Sequence, residues 1–310
     1  MESTYRNINH EGRGQDRLSS LPDDILTEII SRLSITSAIS TSVLSHRWRH
    51  LWTGVTRIQF RTTPSTHRLS NILRHLTSPK LDVFKLEVLH HKHDYSKELQ
   101  SCIRDNCRRN VQQVISDVLF PIPDCLLNCR SIVVLDLCGP FKREDVYEAV
   151  DIQLPNLKKL SLRFLNYLPP WLHSLHKSSP LLEDLTLRAT KQPLNAMPSM
   201  NIFFPNLKSL VLGLFPYHVN STPGVYPDFS IDAPQLTNLV TYGCVLPYRF
   251  CTNPTKLVKA RIDLLMRKYT GFEGNSDELE LHRFSEFFKG MSSIRKLELV
   301  VKKWQMNIFT

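Results

Sequence analysis

Past residue 80 the apolar positions recur as apolar-x-x-apolar-x-apolar, often behind a proline or a proline and a polar residue. The clear copies are Leu157/Leu160/Leu162 in PNLKKLSL, Leu182/Leu185/Leu187 in PLLEDLTL and Leu207/Leu210/Leu212 in PNLKSLVL. Their anchors step by 25 residues, and Ile132/Leu135/Leu137 in RSIVVLDL lies 25 before the first. Weaker copies are Leu81/Phe84/Leu86, Val111/Val114 with Ser116 off the pattern, Leu236/Leu239 with Thr241 off it, Leu257/Ala260/Ile262 and Ile294/Leu297/Leu299.

A period of about 20–29 residues carrying L-x-x-L-x-L is the leucine-rich-repeat signature. The second and third leucines alternate on one face of a strand, and the first packs just before it. Each unit has one apolar face, which it buries only by stacking on its neighbours. The predicted product is an irregular solenoid with a curved parallel sheet and irregular or helical returns. In the strict repeat an asparagine follows the last leucine by three positions, but here those positions hold Pro140, Leu165, Thr190 and Phe215. The usual polar ladder is therefore absent. Asn195–Phe203 and the proline-rich Phe215–Asp232 read as loops between units, while Ser96–Asn106 and Ser276–Lys289 read as helices on the return side.

Ahead of the repeats, the segment from Asp16 to Phe60 has the period of three short helices. Pro22 suits a first helical turn, with Asp23 and Asp24 at the positive end of the dipole. Ile25, Leu26, Ile29, Ile30 and Leu33 follow at helical spacing. Thr36 or Ser37 can cap a second helix carrying Ala38, Ile39 and Val43, and Ser45 a third carrying Trp48, Leu51 and Trp52 and ending at Gly54. So small a unit cannot bury all these apolar side chains by itself, which predicts a docking surface.

Composition adds little to this frame. Hydrophobic content is 42% and charged content 22%, values of an ordinary globular chain. No apolar run is long enough to span a bilayer, so no membrane is expected. The polar first fifteen residues have no signal-peptide core and are expected to form a disordered tail. Seven cysteines without such a signal predict free thiols in a reducing compartment, and Asn220 in its sequon is expected to stay unmodified. Net charge is +10, but the basic residues are scattered and no nucleic-acid motif accompanies them.

The stretch DRLSSLPDDILTEIISRL…TSVLSHRWRHLW resembles the F-box of the large plant F-box/leucine-rich-repeat family, of the FBD-associated type. SPKLDVFKLEVL, NVQQVISDV, CLLNCRSIVVLDL and PNLKKLSL resemble its successive repeats. The resemblance implies a disordered tail over residues 1–15, an F-box over 16–60 and repeats over 61–310. It implies a non-catalytic substrate receptor of an SCF-type ubiquitin ligase, in which the F-box docks on a Skp-family adaptor and through it on cullin and RING subunits. The repeats would hold a protein substrate. The docking positions carry over as Leu21, Pro22, Ile25, Leu26, Ile29, Val43, Leu44, Trp48, Leu51 and Trp52, some of which must instead form the small F-box core. Where the family has Pro-[TS]-[KR], this chain has Ser34-Ile35-Thr36, which predicts weaker docking or a looser loop. Many relatives continue into a conserved FBD. This chain stops at Thr310, which predicts a solenoid without a terminal cap, with Val300, Trp304, Ile308 and Phe309 near an open end, and a truncated paralogue. The alternative is a repeat protein with a degenerate F-box and no ligase role.

Other signals have plainer readings. His90-His91-Lys92-His93 reads as a polar loop rather than a metal site. Cys129, with Cys125 and Cys138, reads as a small buried hydrophobe rather than a zinc ligand. Trp48 and Trp52 read as core or docking anchors rather than a ligand stack. Cys107-Arg108-Arg109 reads as a solvated turn rather than the phosphate seat that some plant relatives provide. No phosphate loop, nucleophile elbow or paired carboxylates are found, and no cofactor or metal is expected. The expected location is cytoplasm, nucleus or both.

Overall fold

In the computed structural model, all nine copies of the repeat become parallel strands of one sheet. The structure describes residues 17–18, 20–60, 66–87, 96–119, 122–138, 152–165, 170–193, 200–217, 229–243, 248–266 and 285–303. Its strands are β1 (Arg57–Phe60), β2 (Val83–Leu86), β3 (Gln113–Leu119), β4 (Val134–Cys138), β5 (Lys159–Leu165), β6 (Asp184–Pro193), β7 (Met200–Phe203), β8 (Ser209–Tyr217), β9 (Phe229–Asp232), β10 (Asn238–Gly243), β11 (Tyr248–Phe250), β12 (Lys259–Met266) and β13 (Lys296–Lys303). The helices are α1 (Asp23–Ser31), α2 (Ile35–Ser40), α3 (Thr66–His75), α4 (Ser96–Arg108), α5 (Asp124–Leu127) and α6 (Leu175–Ser178). The large sheet runs β1-β2-β3-β4-β5-β6-β8-β10-β12-β13, and all its pairings are parallel.

Equal spacing in sequence becomes equal register in space. Leu135, Leu160, Leu185, Leu210, Leu239, Ala260 and Leu297 are partners across successive strands. The repeat-core positions Ile132, Leu135, Leu137, Leu157, Leu160, Leu162, Leu182, Leu185, Leu187, Leu207, Leu210 and Leu212 are all buried. Each such leucine contributes about 1.5–3 kcal/mol of apolar burial. The off-pattern Ser116 and Thr241 keep the register of Leu137 and Leu212 and are buried too.

The recurring proline before the first leucine has a local cause. Leu157, Leu182, Leu207 and Leu236 each donate a backbone N–H to the carbonyl three residues back, at 3.0–3.3 Å. The residue after that carbonyl is Pro155, Pro180, Pro205 or Pro234. Proline pre-sets the φ of this turn position. The next residue then ties the repeats together. Asn156 Nδ2 donates to Arg130 O at 2.8 Å, and Asn206 Nδ2 to Pro180 O at 2.9 Å. This asparagine rung precedes the strand, whereas the expected ladder would follow it. After the strand, where Leu165 and Thr190 stand in place of asparagine, the register shifts between Leu162 and Leu165 and between Thr190 and Gln192.

The ten-stranded sheet takes its first strand from the end of the segment read as the F-box, because Val55-x-x-Ile58-x-Phe60 is a further copy of the pattern and β1 pairs with β2. Four expectations are corrected. The supposed loops contain β7 and β9, which with β11 form a second parallel sheet. Its core is aromatic: Phe229 and Tyr248 meet edge-on, and Phe250 stacks on Phe287 at 5.5 Å. Gly290 is required there, since a Cβ would lie 2.4 Å from the Phe250 ring. The third N-terminal helix is a pair of 3₁₀ turns over Arg47–Arg49 and Leu51–Gly54, and the end of the second is a 3₁₀ turn over Thr41–Val43. The cap of α2 is Ser34 rather than Thr36 or Ser37. Pro22 likewise shifts by one place: it is the N-cap of α1, and its carbonyl accepts from Leu26 N at 3.1 Å.

The return-side helix α4 agrees with Ser96–Asn106 and closes on Asn110, whose φ of 54° is the left-handed value that asparagine tolerates. The other predicted return helix lies partly outside the described residues, and 285–289 are helical. At the last strand, Leu297, Leu299 and Val301 are exposed and Val300 is half-buried, so the uncovered positions are the strand's other face. Trp304, Ile308 and Phe309 lie outside the described residues, as do His90-His91-Lys92-His93, Cys244 and Asn220.

Candidate functional site

Helix α1 is apolar on more than one face. Leu26 and Ile30, four residues apart, point into the core and are buried. Ile25, Ile29 and Leu33, also four apart, form a second row that faces solvent, with Ile25 49% and Ile29 40% exposed. The 3₁₀ turns add Val43 at 85% exposure and Leu44 at 64%. Large apolar side chains this open on one small module mark an interaction surface.

The ten candidate docking residues therefore divide. Leu26, Trp48 and Leu51 are buried in the molecule's own core. Leu21 and Trp52 are partly buried against it, and the Trp52 ring lies 6.2 Å from His75. Pro22, Ile25, Ile29, Val43 and Leu44 are exposed. The core of this module is continuous with that of the repeats. Thr77 N donates to Thr53 O at 2.8 Å and Asp82 N to Thr56 O at 2.7 Å, so backbone bonds also join the two.

Polar contacts hold the patch in shape. Arg47 Nε pairs with Asp23 Oδ1 at 2.7 Å, and its Nη2 donates to Leu21 O, tying the 3₁₀ segment to the start of α1. Ser34 Oγ accepts from Ser37 N at 3.2 Å. Ser34 has φ −61°, the angle that a proline ring imposes. The serine thus keeps the backbone that proline would set and adds a cap. Ser34→Ala should lower stability by about 1 kcal/mol, visible as a lower midpoint in urea with an unchanged slope.

The open face of the large sheet carries a second polar arrangement. Arg163 reaches Asp117 at 2.7 Å and Asp136 at 3.0 Å. Burial pulls its pKa down, but the Asp117 hydrogen bond and the two carboxylate charges outweigh this and leave it raised. Arg261 bonds Asp263 at 2.9 Å and Glu298 at 2.9 Å, and the hydrogen bond to Asp263 raises its pKa.

The remaining candidates are occupied structurally. Arg109 donates to the carbonyls of Ser78, Leu76 and Leu73 at 2.5, 3.2 and 3.5 Å, closing the C-terminal end of α3. Arg108 pairs with Asp105 at 3.5 Å. Both lie at a cleft of about 570 Å³ between α3 and α4. Cys129 is buried, its sulfur hydrogen-bonded to Ser131 Oγ at 3.3 Å. Cys138 is buried elsewhere, and burial pushes its thiol up to about 11. Among the described residues no group of three or more His, Cys, Asp or Glu is placed to hold a metal ion, and no helix is long and apolar enough to cross a membrane.

Comparison with known proteins covers both halves of the chain. The family model "F-box domain" matches residues 18–59. The family model "FBD-associated F-box protein At5g56370, LRR repeats" matches residues 96–261. Among curated proteins of Arabidopsis thaliana, the chain is 29% identical to F-box/FBD/LRR-repeat protein At1g13570 over 92% of its own length. It is 30% identical to FBD-associated F-box protein At4g10400 over 71%, and 27% identical to F-box/LRR-repeat protein 13 over 96%. It spans 62%, 54% and 67% of the lengths of those three relatives.

Proposed function

The chain belongs to the plant family of FBD-associated F-box proteins with leucine-rich repeats, and from that premise we propose that it is the substrate-recognition subunit of an SCF-type ubiquitin ligase. The F-box docks a Skp-family adaptor, and through it a cullin and a RING subunit. The repeats bind a protein substrate. The subunit performs no bond chemistry. It brings a substrate lysine near the charged ubiquitin carrier, so its contribution is proximity. Cytoplasm and nucleus are where such a complex would act.

The observation that carries this reading is the exposed row Ile25, Ile29 and Leu33, together with Val43 and Leu44, inside the residues that match the F-box. These side chains give a partner an apolar surface, and α1 offers it as a helix face. Adaptor contact therefore falls to Pro22, Ile25, Ile29, Val43 and Leu44, while Leu26, Trp48 and Leu51 hold the module together from within.

Co-expression with a Skp-family adaptor should yield a 1:1 complex by light scattering after size exclusion, and more soluble protein than expression alone. If the chain elutes apart from several adaptor isoforms, the ligase reading is wrong and the repeats act as an interaction module alone.

A further inference from the structure

We propose that Arg188, lying across Gly213 onto the ring of Tyr242, is the anchor by which the open face of the repeat sheet binds a carboxylate of an acidic peptide segment. This names the chemistry of the substrate and rests on the reading that the repeats hold one.

The register builds the feature. Arg188 on β6 stands beside Gly213 on β8, and Gly213 beside Tyr242 on β10. A side chain on β8 would separate the other two, but Gly213 has none and is buried. A Cβ there would come within 3.1 Å of Arg188 Cγ. The arginine stem therefore crosses a whole strand, and its guanidinium carbon sits 5.0 Å from the centre of the Tyr242 ring. A guanidinium held over a ring face keeps its in-plane N–H donors for another partner, and those donors can grip a carboxylate with two parallel bonds.

Charge selects the occupant. Around this point the open face carries, among the described residues, Arg163, Arg188 and Arg261 at equivalent or adjacent registers. Arg163 and Arg261 each satisfy two carboxylates of the chain itself. Arg188 is exposed and has no carboxylate within ion-pair distance among the described residues. It is held against the ring, and its charge is matched by no carboxylate among the described residues. The half-buried Val211 and Val240 beside it keep this part of the face drier than an ordinary surface. The net charge of +10 draws acidic segments toward the chain.

The test uses the full chain and a fluorescein-labelled decapeptide of alternating Glu and Gly, with Gln-Gly and Lys-Gly peptides as comparisons, read by anisotropy. The wild type should bind the Glu peptide about tenfold more tightly than the Gln peptide, the ratio expected for one charge-assisted bidentate contact. Arg188→Ala should remove that preference. Gly213→Ala keeps every charge but displaces the arginine stem, and should weaken Glu-peptide binding about threefold or more. Lys177→Ala, an exposed cation away from the sheet, should change it less than about twofold. Arg188→Ala should leave the adaptor complex intact, so failure here is separable from failure of the ligase reading. Equal binding of the Glu and Gln peptides, or unchanged Glu-peptide binding in Arg188→Ala, overturns the proposal.

Discussion

Leu210→Ala should destabilise the chain by about 3–4 kcal/mol, near the middle of the range for a fully buried leucine. Leu210 is 0% exposed and sits in register between Leu185 and Leu239, themselves buried. Both flanking strands are fixed by backbone rungs, among them Lys208 N to Glu183 O at 2.8 Å and Thr237 N to Lys208 O at 2.9 Å. Such a stack collapses poorly into a cavity, so most of the cavity cost remains. Leu297 occupies the same motif position on β13 but is 48% exposed. Leu297→Ala should cost about 1 kcal/mol or less, because half its surface is already in water and, among the described residues, no further strand pairs with β13. Urea unfolding of the two variants measures the contrast. Equal losses would mean that stability does not pass from each strand to its neighbours as a stacked array requires.

That contrast also shows what could be read from the amino acids alone. The step of 25 residues predicted β4, β5, β6 and β8, because a repeat with one apolar face has only one way to bury it. The weaker copies were legible for the same reason, down to Ser116 and Thr241, where the register overrides an off-pattern residue. The second sheet was not legible. Its strands have only three or four residues, and β9 is buried at Phe229, Ser230 and Ile231 in succession, so no alternation marks it. Trp48, Leu51 and Trp52 at i, i+3 and i+4 fit a helix, yet spacing of three also fits short 3₁₀ turns, which won there. Ser34 looked like a missing proline, and only its φ and its bond to Ser37 N reveal a cap. The rung formed by Asn156 and Asn206 had a visible signal, the repeated PNL, but its role depends on which carbonyl of the previous repeat lies beside it. In the N-terminal module the sequence could not divide core from surface, because both are built from the same large apolar side chains. Leu26 and Ile25 are neighbours in the chain, and their burial differs by the turn of one helix position.

Ile25→Asp combined with Val43→Asp should abolish the adaptor complex while leaving the fold intact. Both side chains already meet water, so a carboxylate at either place costs the free chain little. In an apolar interface the same carboxylate would be buried without a partner, and each should weaken binding by about 2 kcal/mol or more. Together that is a loss on the order of a thousandfold, enough to remove the complex from size exclusion. Leu26→Ala should behave in the opposite way. It opens a cavity under α1, lowering stability by about 2–5 kcal/mol, and should weaken the complex only as far as it unfolds the module. Thermal unfolding and adaptor co-purification of both variants separate the cases. If the double aspartate variant melts as low as Leu26→Ala, these residues belong to the core after all. If it melts normally and still co-purifies with the adaptor, docking uses another surface and the exposed row on α1 has a different partner.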